Sequence, residues 1–287
     1  MISITAGDLE ASIDTGRGNN CRSLTLRGAE FIHGDANPPS FAGIPLLAPW
    51  ANRLDGESYT ANGWRYFLNS ALGNLRYDPN HLPIHGLLLF TDRWKIVNQD
   101  ESSVTSRLEF WRVPHWMAQF PFAHSLELTH RLRDGSLEIE LAVENQCEEP
   151  LPLCLGFHPY FRLPDSTRDR WRIQIPAREQ AVLSEKKIPT AERTPIDPGW
   201  RDLAGQSYDT VFTALTGEDF LVTDGARTLA VHFGAKFPVG VIYAPPDKDF
   251  ICFEPMTALT NAFNSPPPFP HVAPGETWRE NFRITPQ

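Results

Sequence analysis

The chain is predicted to fold as an all-β protein, a large antiparallel β-sandwich with few or no helices, and three features lead there. Turn formers punctuate its whole length: 26 prolines and 19 glycines are scattered through 287 residues without gathering into a linker. Between them lie short segments in which apolar and polar residues alternate, the period of a half-buried strand. No long stretch carries apolar residues at i, i+3, i+4 and i+7, so an amphipathic helix has nowhere to form.

The clearest element is a hairpin over residues 125–144. Leu126, Leu128, His130 and Leu132 share one face of an alternating run, and Leu137, Ile139, Leu141 and Val143 repeat the period after Arg133-Asp134-Gly135-Ser136. Asp-Gly between two such runs signals a tight turn, because glycine tolerates the positive φ that the turn needs. Asn62-Gly63 separates Ser58–Ala61 from residues 64–68 in the same way, and Asp224-Gly225 separates Phe220–Thr223 from Thr228–Phe233. Prolines 164, 176, 189, 195 and 198 interrupt any helix beginning between them. Pro266, Pro267, Pro268 and Pro270 read as a stiff loop, too short to link domains. With no repeat of 20–50 residues, a propeller or solenoid is disfavoured, and a single domain over residues 1–287 is expected.

Composition excludes several function classes. Apolar residues make up 41% and charged residues 21%, ordinary values for a globular chain and wrong for a disordered one. Lys plus Arg total 26 against 35 Asp plus Glu, a net charge of −9 that disfavours nucleic acid or an anionic membrane as partner. Cys21, Cys147, Cys154 and Cys252 form no C-x-x-C pair and read as reduced, buried thiols. The N-terminal MISITAGDLEASIDTG has no basic region followed by an apolar stretch, and no apolar run approaches about 18 residues. A cytoplasmic protein is expected.

Five segments bring titratable residues into apolar or aromatic surroundings. In GIPLLAPWANR, an apolar run ends in Asn52-Arg53; Arg53 offers a rigid fork of donors for hydroxyls or carboxylates, or it is a surface arginine ending a strand. In His81-Leu82-Pro83-Ile84-His85-Gly86 the histidines stand four apart, but Pro83 between them argues against the helix that a zinc pair would need. His85 before a glycine is a site residue or a packed structural histidine. His158 lies within the aromatic run Gly156-Phe157-His158-Pro159-Tyr160-Phe161. Desolvation there would lower its pKa, and it serves either as a general acid or base or as a core histidine. Asp209 opens a strand in Ser207-Tyr208-Asp209-Thr210-Val211-Phe212, where an acid is also common for structural reasons. Glu254 lies within Ile251-Cys252-Phe253-Glu254-Pro255-Met256-Thr257. A carboxylate in an apolar strand is costly unless paired or used, and Pro255 marks the end or edge of that strand. Glu254 is the least comfortable of the five as mere structure.

Taken in order, these segments resemble the aldose 1-epimerase (galactose mutarotase-like) family. The resemblance runs from Ser23-Leu24-Thr25-Leu26-Arg27-Gly28-Ala29-Glu30-Phe31 through GIPLLAPWANRL, His85-Gly86 with Trp94, and FHPYF to FEPMTALTNAFN. It implies a large antiparallel sandwich with a concave sugar site. It also implies Glu254 as general base, His158 as general acid, His85 as a second histidine on the sugar ring, and Arg53 and Asp209 as substrate-binding residues. The implied reaction, exchange of α and β anomers of a free aldose such as glucose or galactose, needs no nucleophile, metal or cofactor. A base takes the proton from the C1 hydroxyl, an acid supplies one to the ring oxygen, the ring opens, and reclosure gives the other anomer. Two features depart from the family: Ile84 precedes His85, and Leu87-Leu88-Leu89-Phe90 is unusually apolar for a sugar site. One rival is a hexose-6-phosphate 1-epimerase, which would need extra cations such as Arg76 and Arg93. Others are a non-catalytic carbohydrate-binding protein, which has no need of His158 and Glu254 together, and a glycoside hydrolase built on Glu254 and Asp209.

Overall fold

Asp134 and Gly135 take positive φ values of 51° and 74°, the two left-handed residues of a tight hairpin turn. Strands His124–Arg133 and Ser136–Asn145 therefore pair without a break, from Arg133 opposite Ser136 to His124 opposite Asn145. Asn62-Gly63 turns in the same left-handed conformation between Ser58–Ala61 and Trp64–Phe67. The third predicted hairpin, Phe220–Thr223 with Thr228–Phe233, forms over the residues expected. The structure is a computed structural model that describes residues 1–34, 41–265 and 269–287. The prolines at 266–268 lie outside the described residues.

Two large antiparallel sheets dominate. The first has nine strands, with the His124–Arg133 and Ser136–Asn145 hairpin near one end and Thr277–Pro286 beside it. The second has eight, including Tyr208–Leu215, Val239–Ala244, Ile251–Met256, Gly156–Phe157 and Leu46–Leu47 in that spatial order. Smaller elements flank them, among them a four-stranded sheet that begins at Ile2–Ala6. The α-helix among the described residues is the single turn Pro114–Met117.

Alternation in the eight-stranded sheet separates a core face from a site face. Ile251 and Phe253 point between the sheets, as do Phe212 and Ile242, into one apolar cluster that also takes Leu126, Leu128 and Phe282 from the other sheet. Aromatic contacts cross the layers, with Phe253 and Phe220 rings 5.5 Å apart and Phe157 and Phe282 rings 4.8 Å apart. The intervening residues, Val211, Val241 and Met256, belong to a smaller cluster on the opposite face. Glu254 is carried on that second face by the same period of two.

Pro255 is the last residue but one of Ile251–Met256, so it marks the end of that strand as expected, although the strand lies inside the sheet and not at its edge; it pairs with Gly240 on one side. On the other side the partner strand is interrupted: Gly156 pairs with Met256 and Tyr160 with Cys252, with no ladder between them. A residue without an N–H is tolerated there because that ladder is already broken. All four cysteines are free; Cys21, Cys154 and Cys252 are buried as expected, whereas Cys147 is half-buried. No helix among the described residues is long and apolar enough to cross a membrane.

Candidate active site

The interruption beside Pro255 also positions the two central residues. Carrying the register from Gly156–Met256 to Tyr160–Cys252 through the gap sets His158 opposite Glu254. Residues opposite each other on one face of neighbouring strands come within reach. His158 Nε2 accordingly lies 3.3 Å from Glu254 Oε1, with both side chains almost fully buried. The His158 backbone N–H, which has no ladder partner on Glu254's strand, donates to the Pro45 carbonyl at 3.0 Å. The Tyr160 ring stacks on the imidazole at 4.6 Å and 9° between planes, fixing its orientation.

All five residues singled out from sequence, Arg53, His85, His158, Asp209 and Glu254, line one cavity of about 200 Å³. Asn52, Tyr160, Tyr243 and Phe41 complete much of its wall. Asp209 reaches it from Tyr208–Leu215, where it pairs with Tyr243 two residues from the Val241–Glu254 row. His85 arrives on a loop in a left-handed conformation (φ 63°), its N–H donating to the Asn52 carbonyl at 2.9 Å. Its ring stands edge-on to His158 with centroids 5.5 Å apart. The next residue must be glycine for packing reasons: at Gly86 a Cβ would lie 2.1 Å from the Ala48 carbonyl oxygen.

Burial controls the charges. It pushes the Glu254 carboxyl well above the usual carboxylate range, reinforced by the negative Asp209 and opposed by Arg53. It pushes His158 down to about 3. His85 is also driven well below its ordinary value by burial, then by the positive charge of His158, Arg53 and Arg76. Burial thus favours the uncharged forms of both imidazoles and of the carboxyl. Carboxylic acid with neutral imidazole, and carboxylate with imidazolium, contain the same single proton. The His158–Glu254 pair is thus suited to hold one proton and move it between two sites. Glu254 Oε2, His158 Nδ1 and His85 Nδ1 are buried and have no hydrogen-bond partner among the described residues. Such groups are costly in a closed core, and the residues that carry them line a cavity that a polyhydroxylated ligand could fill.

Two partners of these candidate residues escape the sequence reading. Asp78 accepts from Arg53 Nε at 2.7 Å through Oδ2, while its Oδ1 accepts the backbone N–H groups of Asn80 and Leu82. Burial opposes the Asp78 charge, but the Leu82 N–H and the Arg53 guanidinium outweigh it and hold the carboxyl below its ordinary value. Asp78-Pro79 is a turn-initiating pair, so the loop is legible although its target is not. Lys187 Nζ lies 3.5 Å from Asp209 Oδ2 at the exposed rim, and no local pattern announces it. Of the two cations weighed for a phosphate, Arg76 stands beside the site against Phe41, whereas Arg93 is exposed and pairs with its neighbour Asp92 at 3.5 Å.

Known proteins share this architecture. A galactose mutarotase-like protein from Clostridium acetobutylicum superposes with a TM-score of 0.86 at 18% identity, over 99% of this chain and 94% of that one. The GalM/aldose epimerase homologue of C. elegans gives 0.80 at 18% identity, over 100% and 98% of the two chains. In sequence, the uncharacterized protein YihR of Escherichia coli K12 is 26% identical over 274 residues, 92% of this chain and 86% of that protein. The aldose 1-epimerase of Escherichia coli K12 is 27% identical over 185 residues, 63% of this chain and 48% of the relative. The family model for aldose 1-epimerase matches residues 12–285, and the chain belongs to that family.

Proposed function

We propose that the protein interconverts the α and β anomers of an aldose, with Glu254 and His158 moving the protons and Arg53, His85 and Asp209 holding the sugar. The observation that carries this reading is the buried His158–Glu254 pair, 3.3 Å apart on the floor of a cavity with unpartnered polar atoms around it. In the opening direction the Glu254 carboxylate takes the proton from the C1 hydroxyl as imidazolium His158 delivers one to the ring oxygen. The C1–ring-oxygen bond breaks, leaving an open aldehyde, a protonated Glu254 and a neutral His158. Burial favours that neutral pair, so the charged pair that opens the ring is reached from it by shifting one proton from Glu254 to His158 across 3.3 Å. After rotation about C1–C2 the roles reverse: Glu254 returns a proton to the carbonyl oxygen and His158 recovers one from the attacking hydroxyl.

Because both anomers must fit, contacts at C1 are loose and those to the other hydroxyls firm. The Arg53 fork, fixed by Asp78, suits the second task. The test is polarimetry on freshly dissolved α-D-glucose and α-D-galactose, extended to phosphorylated hexoses and other aldoses if neither responds. Glu254→Gln and His158→Asn should each cut the catalysed rate about 10²- to 10⁴-fold, the usual worth of a general acid or base. Full activity in Glu254→Gln would remove the assigned base. Sugar binding with no acceleration of any aldose would point to a binding protein instead.

A further inference from the structure

Arg168 is a buried cation to which the proposed anomer chemistry gives no role. It opens the single 3₁₀ turn Arg168–Arg170 and is 3% exposed. Its side-chain hydrogen bonds among the described residues all go to backbone carbonyls: Nη1 donates to Leu203 at 2.9 Å, and Nη2 donates to Ala244 at 3.1 Å and to Gln206. Its own backbone N–H donates to Asp249 Oδ1 at 3.2 Å. Nε is buried and has no partner among the described residues. Burying a guanidinium against neutral carbonyls, with one donor unused, is costly, so what those carbonyls hold in place matters.

All three surround the open end of one strand pair. Leu203 and Gln206 bracket the connection into Tyr208–Leu215, in which residues 204–207 are exposed. Ala244 ends Val239–Ala244 and faces Tyr208 across the ladder, the outermost pair of the two strands. The next pair inward is Asp209 with Tyr243, and both line the sugar cavity. An outermost pair has no neighbour beyond it and frays first, so a residue one pair inward moves with the fraying. Arg168 ties both strands of that end to a third element. Asp209 has little else to place it: its ion-pair partner is the exposed Lys187 at 3.5 Å, and its side chain makes no hydrogen bond among the described residues. Glu254 and His158 stand on other strands, and Arg168 bonds to neither.

We propose that Arg168 is a positioning residue for Asp209: its guanidinium clamps the strand end from which that carboxylate reaches the sugar hydroxyls. This rests on the anomer-exchange reading, in which Asp209 holds the sugar while Glu254 and His158 move the protons. Loosening the clamp therefore weakens the grip on the sugar and leaves proton transfer largely intact.

The experiment is a double-mutant cycle between Arg168 and Asp209 in the intact protein, with anomerisation followed by polarimetry on the aldose it accelerates most, starting from α-D-glucose and α-D-galactose. Arg168→Met should raise KM about tenfold, part of the ten- to hundredfold worth of a charge-assisted contact, with kcat changed by less than about twofold. Arg168→Lys, which keeps a charge but cannot span three carbonyls, should raise KM less. In an Asp209→Asn background, whose own KM is already raised, Arg168→Met should add less than about twofold, because the contact it positions is gone. Melting curves report which variants fold, and Arg168→Lys carries the same cycle if Arg168→Met does not. An unmoved KM, a fall in kcat alone, or the same rise in both backgrounds overturns the positioning role and leaves Arg168 as a staple, with the anomer reading intact. Acceleration of no aldose by the unaltered protein overturns the anomer reading and the role of Arg168 with it.

Discussion

Replacing Asp78 separates two jobs that one carboxylate performs. Oδ2 holds Arg53 Nε at 2.7 Å, and Oδ1 accepts the N–H groups of Asn80 and Leu82 at 2.9 Å each. The pair is well shielded, with side-chain exposures of 15% for Arg53 and 2% for Asp78. In Asp78→Asn the amide oxygen keeps the loop contacts, but its NH₂ meets the Arg53 N–H donor to donor. The loss of one charge-assisted bond is about 1.5–3 kcal/mol. Asp78→Ala also strips the two backbone donors, for about 1–2 kcal/mol more in stability. If Arg53 grips the sugar, both variants should raise KM about 10- to 100-fold while kcat falls less, because a displaced fork weakens binding more than proton transfer. Thermal melting alongside anomerisation kinetics gives both quantities. A lowered melting temperature with KM unchanged in Asp78→Asn would refute the positioning role and leave Asp78 as a staple for its own loop.

Other expectations follow from burial and backbone geometry. His130 is fully buried, neither ring nitrogen has a partner among the described residues, and burial lowers its pKa to about 3. The folded value lies below the unfolded one, so its contribution is complete above about pH 6.5 and is lost as pH falls towards 3. By pH 5 the loss is about 2 kcal/mol. His130→Leu should therefore narrow the gap between melting temperatures at pH 7.5 and pH 5 by about 4 °C, and an unchanged gap would show that the ring is not held neutral. Gly86→Ala combines a positive φ of 63° with a Cβ only 2.1 Å from the Ala48 carbonyl oxygen, whereas Gly63, also left-handed, has open space. Gly86→Ala should cost more than Gly63→Ala, which pays only the conformational penalty of about 1 kcal/mol, and it alone should depress activity. Equal melting temperatures for the two would contradict the close approach.

Much of the fold and of the candidate site is legible in the amino-acid sequence, for identifiable reasons. Asp134-Gly135, Asn62-Gly63 and Asp224-Gly225 carry local conformational information, so their hairpins can be placed without knowledge of the rest. Glu254 stands out because a carboxylate among Ile251, Cys252 and Phe253 conflicts with its neighbours. Its partnership with His158 is readable only through family resemblance, since it depends on strand pairing between distant segments. Asp78 and Lys187 escape notice because loop ends meet the site through tertiary packing, which no local period encodes. Pro255 signals the end of its strand, but not that the strand lies inside the sheet, because the broken ladder that tolerates it is a property of the neighbouring strand.

The cavity is built from two kinds of parts with different freedom to vary. Glu254, Asp209, Val241 and Tyr243 belong to strands whose alternate residues form the core, and a slip of one residue would exchange Glu254 for Phe253. Such positions change only with the whole sheet. Arg53, His85, Arg76 and Lys187 project from connecting segments that tolerate changes of length and composition. Exchanging loops at the rim can therefore change what the cavity admits. The proposed proton-moving pair at the floor stays tied to the architecture.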